Sequence, residues 1–143
     1  MKTPGVHLYA PKEYGCQPCS FFEADSRMVE RHANGCGSKY SEKFVPDSLL
    51  FLSIYEACQI HDWMYSFGVT IEDKIFSDRV FLNNMVRTIK AKKSFKITEK
   101  IRLWLAKKYY YTVKNFGGMS FWRGKNFPGE FQKYDNKNYV RKI

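Results

Sequence analysis

A chain of 143 residues has the length of one domain with a single hydrophobic core. Its 44% hydrophobic and 17% aromatic residues exclude the disordered and collagen-like classes, and no apolar run approaches the roughly 18 residues of a membrane-spanning helix. The formal charge of +10 is unevenly distributed: residues 1–86 hold 8 basic and 11 acidic side chains, whereas residues 87–143 hold 16 and 3. The cationic second half favours a phosphate-bearing partner, either nucleic acid or anionic lipid head groups.

The first predicted elements are loops, followed by a long helix. Residues 1–45 are rich in Gly, Pro, Ser and Cys, so we expect loops there, with one short helix near residues 21–31 in the N-terminal part, residues 1–33. A helix is predicted over residues 47–67, because a Pro-Asp pair at its start is a helix-start signal and Gly68 is a stop. One face of this helix carries side chains at steps of three or four: Leu50, Ile54, Cys58, His61 and Tyr65.

Two further helices are predicted downstream. The first covers residues 71–91, where Thr70 and Asp73 form a capping-box-like pair. Its apolar stripe includes one acidic residue and consists of Ile75, Asp78, Leu82, Met85 and Ile89. A third helix is predicted from Thr98 to Gly117 or Gly118 and opens a basic, aromatic C-terminal region, residues 98–143. The sequence thus predicts a mainly α single domain.

Two polar residues lie on apolar stripes that are expected to face each other, His61 on one helix and Asp78 on the next. Each would lose its hydration at a high cost if it were buried alone, so we expect the two to meet. A carboxylate fixes the tautomer and orientation of a histidine, as in a general base that takes a proton from water. Tyr65 can donate to the same carboxylate, and Asp62 points about 100° away, towards a candidate metal. The alternative is a structural His–Asp pair inside a helix bundle.

A short glycine-rich segment precedes the first long helix, Asn34-Gly35-Cys36-Gly37-Ser38. Its glycines allow a tight loop that turns backbone carbonyls inward, as the oxygen-seeking Ca²⁺ requires. The helix itself carries the octet Cys58-Gln59-Ile60-His61-Asp62-Trp63-Met64-Tyr65, and Asp78-Arg79 follows on the next helix. With these motifs, residues 34–85 resemble the secreted-type phospholipase A2 family, nearest to its group XII-like or microbial branch.

The resemblance implies a phospholipase A2-like fold and its reaction. Two antiparallel core helices, residues 47–67 and 71–91, would carry the catalytic His–Asp pair, with a calcium loop at residues 34–39 and a third helix towards the C-terminus. The implied reaction is calcium-dependent hydrolysis of the sn-2 ester of glycerophospholipids, which releases a fatty acid and a lysophospholipid.

The resemblance also assigns roles to individual residues. His61 would activate water, and Asp78 and Tyr65 would orient it. The implied Ca²⁺ ligands are the Asp62 carboxylate and the carbonyl groups of Gly35, Gly37 and Lys39. The Gly37 amide is in addition a catalytic donor to the oxyanion.

A disulfide between Cys36 and Cys58 is implied by the resemblance as well. Another family disulfide would join the positions of Met64 and Ser77, so both of its ends are absent together. A disulfide favours a secreted or extracytoplasmic location, although no signal peptide is visible in the first thirty residues.

On the same resemblance, the partner is an anionic phospholipid membrane surface, met by a monomer, with no nucleic acid. The C-terminal region, including Trp104 and Trp122, would then be an interfacial surface. Candidates to line an acyl pocket, or alternatively to pack in the core, are Leu50, Phe51, Ile54 and Phe81.

A competing pattern predicts a zinc site. Cys16, Cys19, His32 and Cys36 have the spacing of a C2HC zinc finger. Zinc bound by Cys36 would remove the disulfide partner of Cys58. The alternative function is therefore a zinc-stabilised nucleic-acid-binding module that uses the basic half, with His61 and Asp78 structural. A third hypothesis is a phospholipase-like protein that binds membranes without turnover.

Overall fold

The computed structural model describes residues 6–12, 20–33 and 46–122. This part of the chain is mainly helical, as predicted, with one small two-stranded antiparallel sheet. In chain order the elements are α1 (Ser26–His32), β1 (Ser48–Leu49), β2 (Leu52–Ser53), α2 (Tyr55–Phe67), α3 (Ile71–Ala91), α4 (Lys96–Phe116) and α5 (Gly118–Trp122). None of the helices described has both the length and the apolar character that crossing a membrane requires.

The predicted helix over residues 47–67 begins later than expected. Residues 48–53 form the β1–β2 hairpin, in which Leu49 pairs with Leu52, and α2 begins only at Tyr55. The prediction that Leu50 lies on the helical face with His61 is therefore wrong. Leu50 instead occupies the hairpin turn.

Contacts from distant parts of the chain explain this hairpin. The Arg102 guanidinium donates through Nε to the carbonyl oxygen of Leu49 at 3.3 Å, and through Nη2 to that of Leu50 at 3.0 Å. The Tyr109 hydroxyl donates to the carbonyl oxygen of Ser48 at 3.1 Å. Both donors lie on α4, so the hairpin is stabilised by tertiary hydrogen bonds that local sequence signals do not contain.

The other helices follow their sequence signals closely. Helix α3 has the predicted bounds, and its capping box is present because Thr70 Oγ1 accepts from the Asp73 amide while Asp73 accepts from the Thr70 amide. Helix α4 begins two residues before Thr98 and ends at the predicted Gly117. The short N-terminal helix α1 lies near the predicted range but begins later, at Ser26.

Helices α2, α3 and α4 form an antiparallel core. Tyr65, near the end of α2, contacts Lys74 near the start of α3, whereas the earlier His61 contacts the later Phe81. Lys74 in turn reaches the carbonyl oxygen of Val113 near the end of α4. The beginning of α2, the end of α3 and the beginning of α4 therefore share one end of the bundle.

Two hydrophobic clusters enclose the middle of α2. The first joins the hairpin to the three core helices through Leu49, Leu52, Ile54, Ala57, Cys58, Phe81, Met85, Ile89 and Ala106. The second joins α2 to the N-terminal segment through Phe21, Ala33, Ile60, Trp63, Met64 and Val80. The predicted calcium loop, residues 34–39, and the tail, residues 123–143, lie outside the described residues.

Candidate functional site

The structure brings together the histidine and the aspartate that the sequence predicts to meet. His61 projects from α2 and Asp78 from α3, and His61 Nε2 lies 2.8 Å from Asp78 Oδ1. Both side chains are buried, with 7% and 3% of their surface exposed. The antiparallel packing of the two helices therefore produces the predicted pair.

Tyr65 is also part of this cluster. Its hydroxyl donates to Asp78 Oδ1 at 2.5 Å, one helical turn beyond His61. Burial raises the pKa of Tyr65 well above its ordinary value, and the negative charges of Asp78 and Asp62 raise it further. The hydroxyl therefore stays protonated at neutral pH and acts only as a donor towards the carboxylate.

Lys74 is a further buried cation, which was not among the predicted site residues. Its Nζ donates to Asp78 Oδ2 at 2.7 Å and to the carbonyl oxygens of Val113 and Lys114 at 3.1 and 3.3 Å. Three acceptors match the three protons of an ammonium group, and carbonyls in the last turn of a helix carry partial negative charge. Lys74 thus connects the Asp78 carboxylate to the end of α4.

These donors keep Asp78 ionised. Burial by itself would raise the pKa of Asp78, but the hydrogen bonds and charges of His61 and Lys74 outweigh it, and the pKa lies below its ordinary value. An ionised carboxylate only accepts hydrogen bonds, so Nε2 of His61 carries the proton in this pair. In the neutral imidazole, Nδ1 is then the basic nitrogen.

The basic nitrogen of His61 is not occupied by Asp78. Nδ1 has no hydrogen-bond partner within the described part of the chain. The ring stacks on Phe81 with 4.7 Å between centroids, and it contacts the Tyr65 ring at 4.1 Å. Two aromatic neighbours and one carboxylate therefore hold the imidazole in place and leave Nδ1 without a hydrogen bond from the described residues.

Gly117 allows the tyrosine hydroxyl to approach the end of α4. A Cβ atom at this position would lie 2.6 Å from the Tyr65 hydroxyl and 2.4 Å from the Val113 carbonyl oxygen. Phe121 of α5 packs edge-on against the Tyr65 ring at 5.2 Å. The corner between α4 and α5 thus encloses the Tyr65 side chain.

One of the four implied calcium ligands lies in the described part of the chain. Asp62 is half-buried on α2, directly after His61 and close enough for its charge to act on Tyr65. The other three, Gly35, Gly37 and Lys39, lie outside the described residues, as does the catalytic role of the Gly37 amide. Within the described ranges no group of three or more His, Cys, Asp or Glu side chains could hold a metal ion.

Cys58 is disulfide-bonded and fully buried on α2. The other three cysteines, Cys16, Cys19 and Cys36, all lie outside the described residues, so the pairing with Cys36 stays a prediction. The same holds for the zinc site. Its one described ligand, His32, lies with Nδ1 2.7 Å from the Ser66 hydroxyl.

The candidate acyl-pocket residues separate into two groups. Ile54 and Phe81 are core residues with 1% of their surface exposed. Leu50 and Phe51 are 38% and 97% exposed at the hairpin turn, so neither belongs to the described hydrophobic core, and their place in an acyl pocket stays a prediction. A cavity of about 130 Å³ does lie beside Asp78, but it opens between α3 and α4 next to Lys74, away from the His61 ring.

Lys74 and Gly117 were not predicted as site residues, and they differ in whether a sequence signal indicates them. Lys74 lies four positions before Asp78 on the same helix, a spacing at which opposite charges meet. Gly117 was predicted only as a helix stop, because its contact with Tyr65 is tertiary.

Comparisons of the chain with protein-family models, with curated proteins and with solved structures find no match.

Proposed function

We propose that this protein is a phospholipase A2-like enzyme that hydrolyses the sn-2 ester of glycerophospholipids at a membrane interface, with Ca²⁺ as cofactor. The observation that carries the proposal is the geometry of His61. Its Nε2 lies 2.8 Å from a buried, ionised carboxylate, while its Nδ1 has no hydrogen-bond partner among the described residues. This is the arrangement of a general base for water.

His61 handles the proton in the proposed reaction. Nδ1 accepts a proton from a water molecule as the water oxygen attacks the sn-2 carbonyl carbon. The imidazolium that forms is stabilised by Asp78, to which Nε2 remains hydrogen-bonded. As the ester C–O bond breaks, Nδ1 returns the proton to the departing glycerol oxygen, which gives the lysophospholipid and the free fatty acid.

Tyr65 and Lys74 act through Asp78. Between them they occupy both carboxylate oxygens, so the carboxylate cannot rotate away from His61 without breaking a short hydrogen bond. Lys74 also compensates the buried negative charge in the ground state. Both are positioning residues in this mechanism.

The donor chemistry of the implied calcium site is that of a hard cation. The Asp62 carboxylate and the carbonyl oxygens of Gly35, Gly37 and Lys39 are oxygen ligands of the kind that Ca²⁺ prefers. When bound, the ion would supply positive charge beside the substrate phosphate and the ester carbonyl. Asp62 supports this proposal because it adjoins His61 on the same helix.

The proposed partner is an anionic phospholipid surface in a secreted or extracytoplasmic setting. The cationic residues in the first half of α4 and the exposed Trp104, with 57% of its surface accessible, support a lipid interface. The Trp122 side chain is half-buried and packs edge-on against Phe121 at 4.6 Å. It is therefore a weaker candidate for that interface than Trp104.

Fatty-acid release from mixed anionic and zwitterionic vesicles tests the proposal. We expect release by the native protein with Ca²⁺, none with excess chelator, and a loss of about 100-fold or more for His61→Gln, since general bases contribute roughly 10²–10⁴-fold. His7→Gln, at an exposed histidine outside the site, is the matched control and should retain activity. No release by folded protein would refute the enzyme, and bound zinc would then favour the nucleic-acid-binding alternative.

A further inference from the structure

One end of the bundle exposes three large apolar side chains. Phe51 in the hairpin turn is 97% exposed, Phe95 in the α3–α4 connection is 84% exposed, and Ile97 in the first turn of α4 is 66% exposed. The hairpin lies against the first half of α4, because Arg102 binds its carbonyl groups. We call the turn residues 50–51 together with residues 92–101 the tip surface.

The hairpin turn in this surface is strained. Leu50 and Phe51 have φ values of 46° and 64°, the left-handed region that Asn and Gly ordinarily occupy in two-residue hairpins. Bulky residues persist in this conformation only where the surroundings enforce it, and such strain clusters at functional positions. Here Arg102 and Tyr109 hold the backbone while the Phe51 ring contacts almost nothing.

The tip surface is also strongly cationic. Its exposed lysines are Lys92, Lys93, Lys96 and Lys100. The acidic residue among them, Glu99, is engaged in an ion pair with Lys90. Beneath the turn, the buried Arg102 guanidinium donates to carbonyl oxygens through Nε and Nη2, and its Nη1 has no hydrogen-bond partner in the described part of the chain. No carboxylate among the described residues therefore neutralises its positive charge.

We propose that the tip surface is the part of the protein that docks onto an anionic phospholipid bilayer. Phe51, Phe95 and Ile97 enter the boundary between head groups and acyl chains, while the surrounding lysines meet the lipid phosphates. The proposal locates the membrane contact of the proposed enzyme on this end of the bundle. It does not require that the enzyme turn over.

A bilayer fits this surface better than a nucleic acid does. Lysines alone would suit either partner, because both present phosphates. An aliphatic side chain such as Ile97 has no π-face to stack on a base and no donor for a phosphate, whereas it gains free energy on leaving water for an acyl layer. The Phe51 ring, which is 97% exposed, can likewise leave water by inserting into the lipid interface.

Vesicle co-sedimentation in excess chelator tests this proposal without hydrolysis. The probes are vesicles of phosphatidylglycerol and phosphatidylcholine, with pure phosphatidylcholine as the neutral reference. Phe51→Ser should lower the partition coefficient on anionic vesicles by about tenfold, the gain expected from burying one such side chain. Val69→Ser is the matched control, since Val69 is 72% exposed in the α2–α3 connection at the opposite end of the bundle.

A second pair of variants tests the tip lysines, and the two variants have the same net charge as each other. Changing Lys92, Lys93 and Lys96 together to Gln should weaken binding by about 100-fold at low salt, because each lysine near an anionic surface contributes roughly fivefold. The matched control changes Lys107, Lys108 and Lys114, exposed lysines from the second half of α4. The control triple should weaken binding by less than about a third of the 100-fold expected for the tip triple.

The outcomes separate this proposal from the proposed function. An equal loss of vesicle binding in the tip and control variants, or no binding to anionic vesicles, would overturn the proposed role of the tip surface. Hydrolysis would then be tested separately on a dispersed short-chain phospholipid. Binding of single-stranded nucleic acid that depends on the tip lysines but not on Phe51 would also overturn it. Selective loss in both tip variants supports it even if no fatty acid is released.

Discussion

Asp78 accepts hydrogen bonds from side chains on its own helix and on α2, so the arrangement of the site depends on this carboxylate. Lys74→Met removes the partner of Asp78 Oδ2 and leaves a buried negative charge poorly compensated. We expect the free energy of unfolding to fall by about 3–5 kcal/mol, the usual cost of breaking a buried ion pair from one side. Chemical denaturation measures this change.

The surface ion pair of Lys90 with Glu99 supplies the control for that prediction. These side chains are 58% and 30% exposed, so Lys90→Met should cost less than about 1 kcal/mol. If Lys74→Met were as mild as Lys90→Met, Lys74 would not be the group that compensates Asp78.

The pKa of Asp78 predicts how stability depends on pH. Because the pKa is lower in the folded state than in the unfolded chain, the unfolded state binds more protons in the window between the two values. The contribution of Asp78 to the free energy of unfolding is therefore fully present above about pH 4, and it is lost as the pH falls below that value. Unfolding measured between pH 6 and pH 2.5 should show this loss in the native protein.

Two carboxylate variants make the pH prediction specific. Asp78→Asn should flatten the acid limb of the stability profile, whereas Asp25→Asn, at the exposed N-cap of α1, should leave it unchanged. An unchanged acid limb in Asp78→Asn would contradict the buried, ionised state of this carboxylate.

Individual residues show which parts of the site could be predicted from the sequence. His61 and Asp78 were found because two polar residues on apolar stripes must satisfy each other, and that argument needs only helical periodicity. The four-residue step from Lys74 to Asp78 was visible too, but its importance depends on the end of α4, which supplies two further acceptors. A contact with a distant carbonyl leaves no trace in local spacing.

Among the secondary-structure elements, local sequence signals predicted the helices but not the β1–β2 hairpin. Helix α3 has its predicted bounds because Thr70 and Asp73 cap it from within the same turn. The segment before α2 has an apolar spacing that fits a helix, yet it forms a hairpin because Arg102, more than fifty residues away, binds its carbonyl groups. Tertiary hydrogen bonds overrode the local preference.

The strain in the hairpin turn leads to a prediction of increased stability. Replacing Leu50 and Phe51 by Asn and Gly, which tolerate positive φ, should raise the free energy of unfolding by about 1–2 kcal/mol. The same variant should bind anionic vesicles more weakly, because it lacks the exposed ring. Phe51→Ser, which removes the ring and keeps a side chain at positive φ, separates the two effects. A less stable Asn-Gly variant would contradict the strain.

At the scale of the whole molecule, the disulfide of Cys58 links the core to a part of the chain beyond the described residues. The resemblance to phospholipases predicts Cys36 as its partner, which would fix the glycine-rich segment near His61. Proteolysis without reduction, followed by mass spectrometry, should give a peptide that joins Cys58 to Cys36. A link to Cys16 or Cys19 would contradict the implied calcium loop.

The charge asymmetry belongs to the same scale, and the sequence alone indicated it. The structure adds where some of these charges lie: several lysines of the second half surround exposed Phe and Ile side chains at one end of the bundle. Composition could not predict this surface, because the antiparallel order of α2, α3 and α4 brings the hairpin and the α3–α4 connection to the same end.

Hydrolysis at the sn-2 position is tested most directly with a phospholipid that has different acyl chains at its sn-1 and sn-2 positions. After incubation with Ca²⁺, mass spectrometry should find the sn-2 fatty acid and the lysophospholipid that retains the sn-1 chain, in equal amounts. Both products should disappear in His61→Gln and in excess chelator. Release of the sn-1 chain, release that survives His61→Gln, or no release from folded protein would contradict the proposed sn-2 hydrolysis by His61.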